Sequence, residues 1–287
     1  MTRLVFLNGK YIEEKKAKIS IFDRGVLFSD SVYEVTAFIN DKLLDFRSHL
    51  TRLQRSLDEL NINYKVSNLT ILDIHKRLIK ANRLNKKEGL IYLQISRGNM
   101  ERDFEIPKSK HKINIFAFTQ EKSITNNPKL SKGLKIITEE DLRWKRRDIK
   151  TTQLIYPSLL KTKATAGGAD DAWMIDNKGY ITEGTSNNAY IVSKNTIITR
   201  NLSNDILHGI TRKTVLEVAY KLKLNIEERP FSVKEALNAE EAFITSASTL
   251  VAPVIQIDKK TVGDGLVGPI TKILKETYLK ISLKTAS

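Results

Sequence analysis

Two short polar stretches in the second half of this 287-residue chain carry residue types able to hold a charged small molecule. In Glu183-Gly184-Thr185-Ser186-Asn187-Asn188, one carboxylate, a glycine and four small hydrogen-bonding side chains lie between two apolar runs. Loops of that composition can orient a polar cofactor. In Leu207-His208-Gly209-Ile210-Thr211-Arg212, a glycine and a threonine stand where a helical pattern begins. Free backbone N–H groups and a hydroxyl at a helix start suit a phosphate. Each stretch is equally compatible with a plainer role, the first as an ordinary turn and the second as a helix capped by Thr211. Together they point to a phosphorylated cofactor, and spacing alone goes no further.

Other chemistries are poorly supplied. There is no Gly-x-x-x-x-Gly-Lys-Ser/Thr loop, no Gly-x-Gly-x-x-Gly after a strand, and no serine nucleophile elbow. The chain has no cysteine, which removes disulfides, thiolate metal sites and cysteine nucleophiles. With His49, His75, His111 and His208 as its only histidines, a histidine-based metal site is not expected. The acidic clusters Glu139-Glu140-Asp141 and Glu240-Glu241 have no histidine near them in sequence and read as surface charge.

The balance of 48 basic against 33 acidic residues gives a net charge of +15. That excess fits nucleic acid, an anionic small molecule or a lysine-rich proteome. The basic residues are scattered, as in Lys15-Lys16, Lys86-Lys87, Lys108 to Lys112 and Lys145 to Arg147, with no interleaved aromatic residues. A nucleic-acid partner is therefore not expected. Leu4-Val5-Phe6 enters a strand pattern without signal-peptide architecture, and no apolar run approaches a membrane span. The expectation is a cytoplasmic protein with no membrane partner.

The elements that must position these loops read as α+β or mixed α/β in two lobes of similar size. Residues 1–119 form the first lobe, 120–128 a linker ending in Asn126-Asn127-Pro128, and 129–287 the second. Leu4 to Leu7 and Val32 to Ile39 are expected strands, with hairpin turns at Asn8-Gly9 and Asn40-Asp41. Leu50, Leu53, Leu57 and Leu60 then recur every three or four residues, an amphipathic helix with Ser48 as its N-cap. A second helix covers 69–82, and strands follow at 90–96 and 113–118. In the second lobe, strands are expected at 133–138, 171–176, 189–192, 196–199, 241–245 and 250–257. Helices are expected around Val215 and over 270–281.

The order and spacing of several motifs resemble the class IV aminotransferases, the fold-type-IV pyridoxal-phosphate enzymes. Those motifs are Arg143 through Asp148-Ile149-Lys150, Glu183-Gly184-x-Ser186-x-Asn188, and Leu207-x-Gly209-Ile210-Thr211-Arg212. Asp23-Arg24-Gly25, Val32-Tyr33-Glu34-Val35, His49-x-x-Arg52-Leu53 and Tyr92 through Gly98 resemble the D-amino-acid branch of that family. The resemblance spans about residues 4 to 280.

It implies a two-lobed fold with pyridoxal 5′-phosphate in the cleft and an obligate homodimer sharing the site. Lys150 matches the lysine that forms the Schiff base and carries the proton from the substrate Cα; an amine is a good nucleophile toward carbonyls. Glu183 matches the carboxylate that keeps the pyridine nitrogen protonated, so that the ring accepts electrons. Arg52, Ile210 and Thr211 match the phosphate cradle. Ser246 and Ala247 lie near a further strand end, Ala247 with only its backbone N–H to offer. Ser186, Asn188, Leu207 and Gly209 belong to the same cofactor-binding motifs. Tyr33 matches a substrate-side tyrosine, and Arg102 the arginine that reaches across the dimer to the substrate carboxylate, which its planar fork fits.

Three positions depart from the family pattern. Phe104 stands two residues after Arg102, where the D-amino-acid enzymes carry a histidine, and it offers no hydrogen bond. Asn187 stands where serine is common, and Ser31 where glycine precedes Val-Tyr-Glu. The implied reaction is amino transfer from a D-amino acid such as D-alanine to a 2-oxo acid, 2-oxoglutarate or pyruvate, for supply of D-amino acids to peptidoglycan. Within the superfamily the alternatives are a branched-chain L-amino-acid aminotransferase and aminodeoxychorismate lyase.

Overall fold

The computed structural model describes residues 2–106 and 111–287, so the basic run from Lys108 lies partly outside the described residues. Two compact units are present. The first comprises Met1–Ser123, Ile149–Gln153 and Thr285–Ser287; the second comprises Ile124–Asp148 and Leu154–Lys284.

The first unit is built on an antiparallel sheet of β1 (Leu4–Leu7), β2 (Lys10–Glu13), β3 (Ser31–Ile39), β4 (Lys42–Leu43), β5 (Glu88–Ser96) and β6 (Asn114–Glu121), in the order β2-β1-β6-β5-β3-β4. Its hairpin turns follow from residue type. Asn8 and Gly9 take φ of 49° and 87°, and Asn40 and Asp41 take 49° and 65°, the left-handed values a two-residue hairpin needs. One sheet face is covered by α2 (Phe46–Glu59) and α3 (Asn68–Ala81); α1 (Arg24–Phe28) is a single short turn before β3. Leu50, Leu53 and Leu57 of α2 meet Ile71, Ile74 and Leu78 of α3 and Phe38 and Ile91 of the sheet. This apolar stripe at helical spacing makes the core.

The second unit contains α4 (Pro128–Lys132), β7 (Leu134–Glu140), α5 (Ile155–Ala166), β8 (Asp171–Ile175), β9 (Ile181–Gly184), β10 (Asn188–Ser193), β11 (Thr196–Thr199), α6 (Ile210–Lys221), β12 (Asn225–Glu228), α7 (Val233–Leu237), β13 (Glu241–Ser246), β14 (Leu250–Ile257), β15 (Lys260–Thr261) and α8 (Pro269–Thr285). Its mixed sheet runs β12-β11-β10-β13-β14-β7-β8-β9, with β15 on β14. The strands β8, β10, β13 and β14 read as near-continuous apolar runs because most of their residues are buried on both faces.

The α+β reading holds, with differences at element boundaries. Helix α2 starts at Phe46 with Asp45 as N-cap, so Ser48 lies inside its first turn; the buried ring of Phe46 joins the core and draws the helix back. Residues 120 and 121 belong to β6 and Pro128 opens α4, so the expected linker is shorter than 120–128. The sequence places Lys150 with the second lobe, but residues 149–153 fold with the first unit. Val32 bridges to Thr151, Tyr33 N donates to Lys150 O at 3.1 Å, and Thr152 N donates to Ser31 O at 3.2 Å.

Candidate active site

In the first unit the alternation of β3 sorts its side chains to two faces. Val32, Glu34, Thr36 and Phe38 are buried, whereas Tyr33 and Val35 stand on the more open face. Tyr33 there starts an aromatic ladder. Its ring stacks on Tyr92 at 5.3 Å, and Tyr92 stacks on Phe118 at 5.0 Å. Lys150 Nζ lies 4.1 Å from the centroid of the Tyr33 ring and has no ion-pair partner among the described residues. Its backbone is held by Tyr33 on β3 and by Ser56 Oγ on α2, which accepts from Lys150 N at 3.3 Å. A lysine fixed at its backbone and resting on an aromatic face keeps its amine available for a carbonyl.

Beneath that strand, His49, Arg52 and Ser56 share one buried face of α2, a helical spacing that inserts polar groups among Leu50, Leu53 and Leu57. Glu34 accepts from Arg52 Nε and Nη2, both at 2.7 Å, and lies 2.6 Å from His49 Nδ1. Burial alone pushes the Glu34 carboxyl up, but the Arg52 guanidinium and His49 more than offset this and hold it at about 2. Arg52 thus meets a carboxylate on two of its nitrogens, a pairing that the phosphate role does not imply.

In the second unit, Glu183 at the end of β9 is buried and gripped on both oxygens. Oε2 accepts from Asn188 Nδ2 and from Leu207 N, each at 3.0 Å, and Oε1 accepts from Arg143 Nη1 at 2.6 Å. Burial raises the Glu183 carboxyl above its ordinary value, and Arg143 and the Leu207 N–H pull it only part of the way back. Arg143 is shared: Asp141 takes its Nε at 2.9 Å and its Nη2 at 2.7 Å. Asp141 remains below the usual carboxylate range, because these bonds outweigh its own burial.

Asn188 also donates to Leu207 O at 3.0 Å, which ties the first polar loop to the second. Gly209 is the N-cap of α6 and supplies no side-chain cap to the first turn. A Cβ there would fall 2.0 Å from Asn188 Oδ1, so the close approach of these two loops requires glycine. Ile210 and Thr211 are buried in that first turn, whose leading N–H groups have no intrahelical partner.

The structure therefore joins Glu183, Asn188, Leu207, Gly209, Ile210 and Thr211 in one cluster of the second unit. Tyr33, Lys150 and Arg52 belong to the first, Arg52 on the opposite side of β3 from Tyr33. Ser186 is exposed on its loop. Ser246 ends β13, where its Oγ accepts from Thr249 N at 3.2 Å and meets the hydroxyls of Ser248 and Thr249; Ala247 opens the turn that follows. Arg102 is exposed, its guanidinium carbon 5.5 Å from the rings of Phe28 and Phe104. Glu34, His49 and Ser56 receive no role from the sequence, although strand alternation together with the spacing of His49, Arg52 and Ser56 contains the signal. Arg143 enters the sequence reading only as the start of a motif.

Taken unit by unit, these groups fit the parts of pyridoxal phosphate. A buried anion with fixed orientation suits a protonated ring nitrogen, an uncapped helix start suits a phosphate monoester, and a lysine without an ion-pair partner suits an aldehyde.

Comparison with known proteins agrees. The model of the family described as amino-transferase class IV matches residues 31–257. D-alanine aminotransferase of Staphylococcus aureus (strain MSSA476) is 36% identical over 279 residues, covering 96% of each chain. The protein of the same name from Bacillus licheniformis is 36% identical over 286 residues, covering 98% of this chain and 99% of its own. Among solved structures, the branched-chain amino acid aminotransferase of Escherichia coli superposes with a TM-score of 0.89 at 20% identity, covering 98% of this chain and 95% of that one. A T.th. branched-chain amino acid aminotransferase with pyridoxamine 5′-phosphate gives 0.90 at 23%, covering 99% and 95%. At those identities the likeness is one of fold. The chain belongs to the class IV aminotransferases, a family of pyridoxal-phosphate-dependent enzymes.

Proposed function

We propose that the enzyme transfers the amino group of a D-amino acid of the D-alanine type to a 2-oxo acid such as 2-oxoglutarate, giving pyruvate and D-glutamate. The observation that carries this reading is the full-length likeness, at 36% identity, to proteins named D-alanine aminotransferase. The geometry of each unit supports the pyridoxal-phosphate chemistry that this reaction needs.

Pyridoxal phosphate, when bound, supplies a carbonyl to take up the amino group and a ring to delocalise the electron pair released at the substrate Cα. Lys150 Nζ is the base at that Cα and the nucleophile that holds the cofactor between turnovers. Glu183 keeps the ring nitrogen protonated, with Asn188 and the Leu207 N–H fixing its carboxylate. The α6 start at Gly209, Ile210 and Thr211 takes the phosphate, with Arg52 and the hydroxyl-bearing turn at Ser246 and Ala247 as further contacts. Ser186 lines the same loop as Glu183. Tyr33 stands on the substrate side, and Arg102 anchors the substrate carboxylate across a homodimer. The enzyme works in the cytoplasm.

The test is pyruvate formation from D-alanine, followed with and without 2-oxoglutarate. Sustained turnover that requires the oxo acid supports transamination. No pyruvate from D-alanine even with the oxo acid present contradicts the reading; a lyase, which eliminates a leaving group that D-alanine lacks, gives that outcome. Turnover of L-leucine but not D-alanine would assign the enzyme to the branched-chain L-amino acids instead.

A further inference from the structure

Arg102 carries the one charge assigned to the substrate carboxylate, and its surroundings differ from a simple donor pair. Among the described residues no carboxylate pairs with it. Its guanidinium carbon instead lies 5.5 Å from the centroid of the Phe28 ring and 5.5 Å from that of Phe104. The two rings meet edge to face at 5.5 Å and 66°. Phe104 is 78% exposed, so it does not pack under the loop as a core residue would.

The segments that carry these rings are tied down by hydrogen bonds. Phe28 is the last residue of α1, whose start is fixed by Asp23, which accepts from Gly25 N and from Ser96 Oγ, both at 2.6 Å. Arg24 also lies over the Phe28 ring, 4.4 Å from its centroid. The same Arg24 donates to Asp30 at 2.8 Å and to Asp103 O at 2.6 Å, tying the loop that carries Arg102 and Phe104 to buried groups.

We propose that Phe28 and Phe104 are positioning residues for Arg102, presenting its fork to a carboxylate on an aromatic platform in place of a second hydrogen-bond donor. This rests on the reading of Arg102 as the carboxylate anchor. An exposed arginine has many rotamers to lose on binding, and a preordered one loses fewer. Ring contacts hold the cation without consuming its N–H donors, which are left for a bidentate carboxylate. A phenylalanine at position 104 is thereby accounted for as support rather than as a missing donor.

The test uses the dimeric holoenzyme and two readouts, KM and kcat for D-alanine and the calorimetric Kd of propionate, a carboxylate that cannot react. Phe104→Leu and Phe28→Leu should each raise KM and Kd roughly two- to fivefold with kcat kept. Phe104→Tyr, which keeps the ring, should restore both values. In an Arg102→Ala background, Phe104→Leu should add nothing, because the ring acts through the arginine. If Arg102→Ala raises KM and Kd while Phe104→Leu leaves them unchanged, the platform is refuted and the anchor stands. An equal effect of Phe104→Leu with and without Arg102 also refutes the platform. If Arg102→Ala changes neither value, the anchor itself is wrong, and the platform falls with it.

Discussion

Glu34 and Arg52 form a fork-to-fork ion pair inside the first unit, Oε1 accepting from Nε and Oε2 from Nη2, each at 2.7 Å. Both groups are buried, so removing one charge strands the other. Glu34→Gln should cost about 3–5 kcal/mol at neutral pH, as for other broken buried pairs. The carboxyl is held at about 2, below its ordinary 4.5. Its stabilising contribution is therefore complete above 4.5 and is lost as pH falls from there through about 2. Urea unfolding at about pH 6 and about pH 3 checks this: the gap between wild type and Glu34→Gln should narrow at the lower pH. A gap that is absent at the higher pH would show that the pair does not hold the unit together.

Glu183 should behave oppositely. Its carboxyl is raised by burial, so its contribution to stability worsens as pH climbs from the ordinary carboxylate value through the raised one. Glu183→Gln removes that desolvated charge and leaves Arg143 its two bonds to Asp141. Stability should stay within about 1.5 kcal/mol of wild type. The rate should fall sharply, by roughly 10²–10³-fold in kcat, since the anion acts most where charge develops. An unchanged kcat would mean that another group sets the ring protonation.

Gly209→Ala probes the junction of the two polar loops. The added methyl would displace Asn188 Oδ1, and with it the amide that donates to Glu183 and to Leu207 O. Two hydrogen bonds of about 1 kcal/mol each are at stake. Cofactor Kd, measured by fluorescence titration of the protein, should rise about tenfold or more. An unchanged Kd would separate Asn188 from the cofactor site.

Lys150 is expected to carry the cofactor. Borohydride reduction and peptide mapping should place the pyridoxyl label on it, and Lys150→Ala should abolish transamination. Label on a different lysine would overturn the assignment.

Much of the fold is legible in the chain because its signals are local. Asn8-Gly9 and Asn40-Asp41 declare their turns through backbone conformations few residues adopt, and the leucine spacing of α2 declares a helix face. Helix α5 is not legible, because its buried stripe of Pro157, Leu160 and Ala164 is interrupted in sequence by the equally apolar but exposed Ile155 and Leu159, which blur the period. Helix α1 has five residues and one buried side chain, Arg24, so it has no apolar period at all. Among the candidate site residues, motif resemblance singles out Lys150 and Glu183, while Ser56 and Arg143, which hold them, receive no role from the sequence. Lys150 joins the first unit through Tyr33, and the neighbouring Thr151 through Val32, both more than a hundred residues upstream; Arg143 meets Glu183 across 40 positions. Such distant pairings leave no periodic trace in sequence.

The most direct measurement is a single-turnover panel on the holoenzyme. Each D- and L-amino acid is mixed without any oxo acid, and conversion of the cofactor to its amine form is followed by absorbance. D-alanine should convert the cofactor and release one equivalent of pyruvate per site, while L-alanine and L-leucine leave the spectrum unchanged. Conversion by L-leucine with no response to D-alanine would contradict the account.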